Sequence, residues 1–79
     1  MDRNTIFNKV RMYILNQLPI DESKVTESAR MIDDLGADSA NLMMLIMDLE
    51  EEFGMTVEDD ALGMIKTVGD IVDYISKKG

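Results

Sequence analysis

The sequence predicts an all-α fold: a small irregular four-helix bundle with a long first loop and a short third helix. Apolar residues recur at helical spacing in three separate segments, and no segment sustains the period-two alternation of a half-buried strand. The only proline, Pro19, opens a stretch through residue 38 that shows neither pattern. The 79 residues make one domain, residues 1–79, with one hydrophobic core and little room for a deep, walled site.

The first helix is expected from Asn4 or Thr5 to Leu18. Ile6, Val10, Tyr13, Ile14 and Leu18 fall on one face. Asn4 or Thr5 can cap its start, and Pro19 turns the residue before it away from helical geometry. Residues 19–38 read as a loop laid across the bundle, pinned by Val25, Ala29, Met31, Ile32 and Leu35. A loop of that length in a compact domain usually serves a function. The second helix is expected from Ser39 to Phe53, because Leu42, Leu45, Ile46, Leu49 and Phe53 form a continuous helical stripe. Asp38 or Ser39 supplies its N-cap, and Gly54 suits the left-handed residue that closes a helix. A short helical turn is expected around Asp59 to Met64, weakened by Gly63. The last helix starts at Thr67, with Asp70 three residues on as a capping box. Val68, Ile71, Val72 and Ile75 form its inner face, and Lys77 and Lys78 suit its negative end.

Composition excludes several functions. Apolar content of 46% and charged content of 30% fit a folded, soluble domain. The longest apolar run, Leu42 to Met47, has six residues, whereas a membrane span needs roughly 20. The start, Met1 to Thr5, lacks the apolar core of a signal peptide, so a cytoplasmic protein without membrane insertion is expected. There is no cysteine and no histidine, which removes disulfides, thiolate nucleophiles and the usual base of a catalytic triad. The acidic stretches fail as calcium loops: Leu35 falls where a ligand is needed after Asp33, and Phe53 where glycine is needed after Asp48. No catalytic residue and no metal site is expected.

The net charge is −8, unevenly placed. Residues 1–18 carry +2, residues 19–60 carry −11 and residues 61–79 carry +1. The acidic middle repels nucleic acid and attracts a protein with a basic patch. Glu50, Glu51 and Glu52 lie in the last turn of a helix, where each opposes the dipole by up to ~1 kcal/mol. Local stability does not account for them at this level. Met43, Met44 and Met47 lie beyond the inward stripe, and methionine is common on adaptable binding surfaces.

On spacing alone Ser39 is a helix cap. The segment Asp34-Leu35-Gly36-Ala37-Asp38-Ser39 changes that reading, because it closely resembles the modification motif of acyl carrier proteins. Leu49-Glu50-Glu51-Glu52-Phe53, Thr67-Val68 and Asp73-Tyr74-Ile75 follow at the family's spacing. The resemblance runs without gaps from about Thr5 to Ile75. It implies a four-helix bundle with Ser39 receiving a covalent 4′-phosphopantetheine from coenzyme A, through a separate phosphopantetheinyl transferase. The arm's thiol then carries acyl chains as thioesters to acyl-transferring, condensing and reducing enzymes with basic docking patches. The missing cysteine is then no obstacle, because the thiol belongs to the cofactor.

The candidate partner-recognition residues are Asp38, Met44, Met47, Glu50, Glu51 and Val57. Leu45, Ile46, Leu49, Ile65 and Ile71 are candidates to line a cleft for the acyl chain, an expectation drawn partly from the family. The chain departs from the family pattern at Ala40, where leucine is usual, and at Asn41. It departs again at Met44, where glutamate is usual, and at Glu58, where proline is common. Two branches follow, ordinary fatty-acid synthesis and a specialised carrier for a polyketide, lipid or modified fatty acid. The changes at Ala40, Asn41 and Met44 point toward the second, with a more apolar docking face. A monomer is expected. The alternative is a cofactor-free helical interaction module using the acidic, Met-rich second helix; an independent enzyme is disfavoured by size and by the missing histidine and cysteine.

Overall fold

The computed structural model describes residues 2–78, the side chain of Lys78 excepted. Its helices are α1 (Arg3–Gln17), α2 (Ser39–Phe53), α3 (Asp59–Leu62) and α4 (Val68–Lys78), with a 3₁₀ turn at Glu22–Lys24. Among the described residues there is no strand. An isolated antiparallel bridge joins Arg30 to Thr67.

The N-cap of α1 is Asp2, not Asn4 or Thr5. Its carboxylate accepts the N–H of Thr5 at 2.8 Å. That bond holds Asp2 below the ordinary carboxylate range. Apolar spacing fixes the phase of a helix, not its first residue, which is why the start falls earlier than expected. At the other end Leu18 is extended, the conformation a following proline favours. Ile6, Val10, Ile14 and Leu18 are buried, and Tyr13 is half-buried. Through this face α1 packs on both α2 and α4.

Backbone hydrogen bonds tie the long loop to the start of α4. Met31 N–H donates to Lys66 O at 3.0 Å, Val68 N–H to Ala29 O at 3.0 Å, and Gly69 N–H to Glu27 O at 2.8 Å. A Cβ on Gly69 would lie 2.9 Å from Glu27 O, so this crossing needs glycine. Val25, Ala29, Met31 and Leu35 are buried as anchors, joined by Ala37. Ile32 is not an anchor: it is 54% exposed. Asp34 accepts the N–H of Arg30 at 2.8 Å, while Asp34 and Leu35 donate back to Arg30 O. The chain turns there and carries Ile32 outward.

Helix α2 begins and ends where expected. Asp38 accepts the N–H of Asn41 at 2.8 Å, and Asn41 Oδ1 accepts the N–H of Asp38 at 3.2 Å. This reciprocal pair is a capping box with asparagine in the return position. Gly54 closes the helix at φ 61°. Helix α3 stops at Leu62, short of Met64. Helix α4 starts after Thr67, whose hydroxyl accepts the N–H of Asp70 at 3.1 Å. Asp70 accepts the N–H groups of Lys66 at 3.0 Å and Thr67 at 3.1 Å, and these bonds hold it below the ordinary carboxylate range. Val68, Ile71, Val72 and Ile75 join the core, which contains no polar side chain among the described residues. Lys77 is exposed at the end of α4; the side chain of Lys78 lies outside the described residues.

Candidate functional site

Ser39 is the first residue of α2 and is exposed, with exposed Asp38 before it and exposed Ala40 after it. The Asp38–Asn41 box fixes the direction of the helix start, and with it the direction in which Ser39 leaves the fold. An attached phosphodiester fits here: the hydroxyl is accessible, the next side chain is only a methyl, and the positive end of the helix dipole favours the anion. One turn on, Leu42 borders an open groove of about 520 Å³. Arg30, Ile32, Ile65 and Lys66 also line it. Among the described residues no cluster of acidic, histidine or cysteine side chains is placed to hold a metal ion.

The outward face of α2 is apolar at its centre. Met44 is 57% and Met47 61% exposed, and Met43 is exposed beside them. Asp48 and Glu51, also exposed, lie further down the same helix.

The three consecutive glutamates do different things. Glu50 Oε2 accepts the N–H of Val57 at 2.7 Å. Glu52 accepts from Lys9 Nζ at 3.0 Å and from the Tyr13 hydroxyl at 2.6 Å. The Tyr13 bond, then the Lys9 bond, holds Glu52 below the ordinary carboxylate range, and the same carboxylate pushes the Tyr13 hydroxyl up. Two of the three acids therefore serve the fold through partners outside their own helix, which accounts for charges that helix stability alone leaves unexplained. Their partners come from α1 and from the linker after Gly54, which helical spacing does not reveal.

Four of the five candidate cleft residues converge. Ile46, Leu49, Ile65 and Ile71 line a cavity of about 10 Å³ with Glu50, Met55, Val57, Tyr74 and Ile75. Leu45 is buried but does not line it. The cavity is built from two helical rows, Ile46–Leu49–Glu50 on α2 and Ile71–Tyr74–Ile75 on α4, each spaced i, i+3, i+4. Leu45 belongs to the neighbouring row. Val57, expected among the partner-recognition residues, is half-buried and lines this cavity. The sequence placed Ile71 and Ile75 on the inner face of α4 but not Tyr74, which the structure adds to the wall. Met55 and Val57 lie in the irregular linker and carry no periodic signal.

Comparison with known proteins agrees with this geometry. The family described as "Phosphopantetheine attachment site" matches residues 8–75. The chain is 58% identical over 76 residues to the acyl carrier protein of Thermotoga maritima, covering 96% of this chain and 94% of that protein. It is also similar to the solved structure of the acyl carrier protein from Enterococcus faecalis, a study of that protein's high thermal stability. The TM-score there is 0.84 at 38% identity, and both chains are covered completely. No helix among the described residues is long and apolar enough to cross a membrane. A bundle that exposes a serine at the capped start of its second helix, with a matching family and relatives over nearly its whole length, belongs to the acyl carrier proteins: phosphopantetheine-bearing carriers, not enzymes, whose usual role is in fatty-acid biosynthesis.

Proposed function

We propose that Ser39 is the attachment point of 4′-phosphopantetheine and that this chain delivers acyl intermediates to cytoplasmic enzymes of fatty-acid, lipid or polyketide synthesis. The observation that carries the reading is the exposed hydroxyl of Ser39 at the head of α2, oriented by the Asp38–Asn41 box. When bound, the cofactor supplies a thiol that holds the acyl group as a thioester. The chain's own residues do the rest. Ser39 Oγ gives up its proton and bonds to the pantetheine-side phosphorus of coenzyme A within the active site of a transferase, as the pyrophosphate P–O bond breaks and adenosine 3′,5′-bisphosphate leaves. Asp38 fixes the helix start that the transferase approaches. Met44 and Met47 offer an apolar centre, and Asp48 and Glu51 an acidic margin, to enzymes with a basic rim around an apolar patch. With Glu50 and Glu52 engaged in the fold, Glu51 is the glutamate of the run best suited to a partner's cation. The carrier acts as a monomer.

The test is transfer from an acyl-coenzyme A by a broad-specificity phosphopantetheinyl transferase. Wild-type protein should gain an acyl group that hydroxylamine removes, leaving the phosphodiester arm. Ser39→Ala should gain neither. An unmodified wild-type chain would favour the cofactor-free interaction module.

A further inference from the structure

The cavity between α2 and α4 is closed by a linker that two side chains hold from opposite sides. Residues 54–58 connect α2 to α3 and contribute Met55 and Val57 to the wall. From α2, Glu50 Oε2 accepts the N–H of Val57 at 2.7 Å. From α4, the Tyr74 hydroxyl oxygen accepts the N–H of Glu58 at 3.4 Å. The carbonyl of Glu50 adds a bond from the N–H of Met55 at 3.0 Å. Glu50 is the one carboxylate in an otherwise largely apolar lining.

The cavity measures about 10 Å³, no more than a single water requires. An alkyl chain therefore enters only if part of the wall moves. Leu49 and Ile71 are each 1% exposed and fixed in the helical core. Two parts of the wall are not helical: Ile65, which is buried at 7% exposure, and the linker, whose Met55 and Val57 are only half-buried. The linker is the freer of the two, hinged on Gly54 at φ 61°, and Glu50 and Tyr74 bond its backbone.

We propose that Glu50 is a specificity-determining residue for the cargo: its carboxylate clasps Val57 and keeps the linker shut against acyl chains too short to replace the packing that opening disrupts. This rests on the reading of the cavity as the acyl-chain cleft. It also assigns Glu50 a role distinct from docking. Glu50→Gln keeps an oxygen acceptor for Val57 and loses the charge, whereas Glu50→Ala loses both. A clasp therefore predicts that Gln behaves like the wild type. A docking charge predicts that Gln behaves like Ala.

The experiment loads wild type, E50Q and E50A with two-, eight- and twelve-carbon acyl groups. It reads the Ile46 and Ile71 methyl resonances and the amide exchange of Val57. In the unloaded proteins, Val57 exchange should be at least about tenfold faster in E50A than in wild type or E50Q. On loading, E50A should admit shorter chains, seen as methyl shifts at a length that leaves the wild type unshifted. Glu50→Leu, which keeps side-chain bulk and removes the acceptor, carries the same test if E50A does not fold. Equal Val57 exchange in E50A and wild type, or E50Q matching E50A, overturns the clasp while the cleft stands. Methyl resonances unmoved by every chain in every protein would remove the cleft reading and the clasp with it.

Discussion

Ser39 is one of four serines, and its surroundings separate it from the others. Ser23 donates to Asp21 at 2.9 Å in the 3₁₀ turn, and Ser28 shares a hydrogen bond with Thr26. Ser76 lies on α4, far from any helix start. Only Ser39 heads a capped helix. Met44 makes the second residue-scale argument. An apolar side chain at this outward position is unexplained by the core, so Met44→Glu should slow acyl transfer to the natural partner several-fold while leaving the thermal midpoint unchanged. Equal transfer rates in a stopped-flow comparison would remove the apolar docking face. At this scale the sequence was partly legible. Asp38 and Met44 were readable as a helix cap and an outward helix position because local pattern decides whether a residue starts or lines a helix. The same pattern made Ser39 only a helix start, and its part as attachment point came from the resemblance to acyl carrier proteins. Ile32 and Glu50 were not, because a turn made by Asp34 and a backbone N–H seven residues away decide their environments.

At the scale of elements, α4 depends on its cap. Thr67→Ala removes the acceptor for Asp70 N–H and should cost about 1 kcal/mol, a fall of roughly 4–8 °C in thermal midpoint for a domain of this size. Asp70 adds a pH dependence. Its folded-state value lies below the ordinary 3.8, so the folded state favours the charged form. Its contribution is present above the unfolded value and is lost as pH falls through the folded value. Asp70→Asn should therefore flatten the acid limb of the stability profile, and thermal melts between pH 2 and 6 would show it. The helices themselves were legible where an apolar stripe and an end signal agreed: α2, with Asp38 before it and Gly54 after it, matched at both ends. The start of α1 did not, since Asp2 precedes the first apolar residue of the stripe by four positions. The long loop's attachment to α4 was hidden for a different reason. It is made by backbone groups of Ala29, Met31, Lys66 and Val68, which no side-chain pattern encodes.

For the whole molecule, the distribution of charge matters more than its total. The basic residues of α1 are turned inward on the protein's own acids. Arg3 pairs with Glu27 and Asp73, Lys9 with Glu52, and Arg11 with Glu22. These exposed pairs contribute little individually, but they tie α1 to the loop, α2 and α4. The acids without such partners leave a negative field around α2. Encounter with a basic partner should therefore slow about tenfold between low and high salt, while the thermal midpoint changes little. Association rates measured against ionic strength would check this, and a flat dependence would argue for docking through the methionines alone. The most direct test of Ser39 as the attachment point is the intact mass of the protein after incubation with coenzyme A, magnesium and a phosphopantetheinyl transferase. The wild type should gain one phosphopantetheine, mapped to the peptide containing Ser39, and Ser39→Ala should gain none. An unmodified wild type, or a Ser39→Ala variant that still gains the arm, would contradict that assignment.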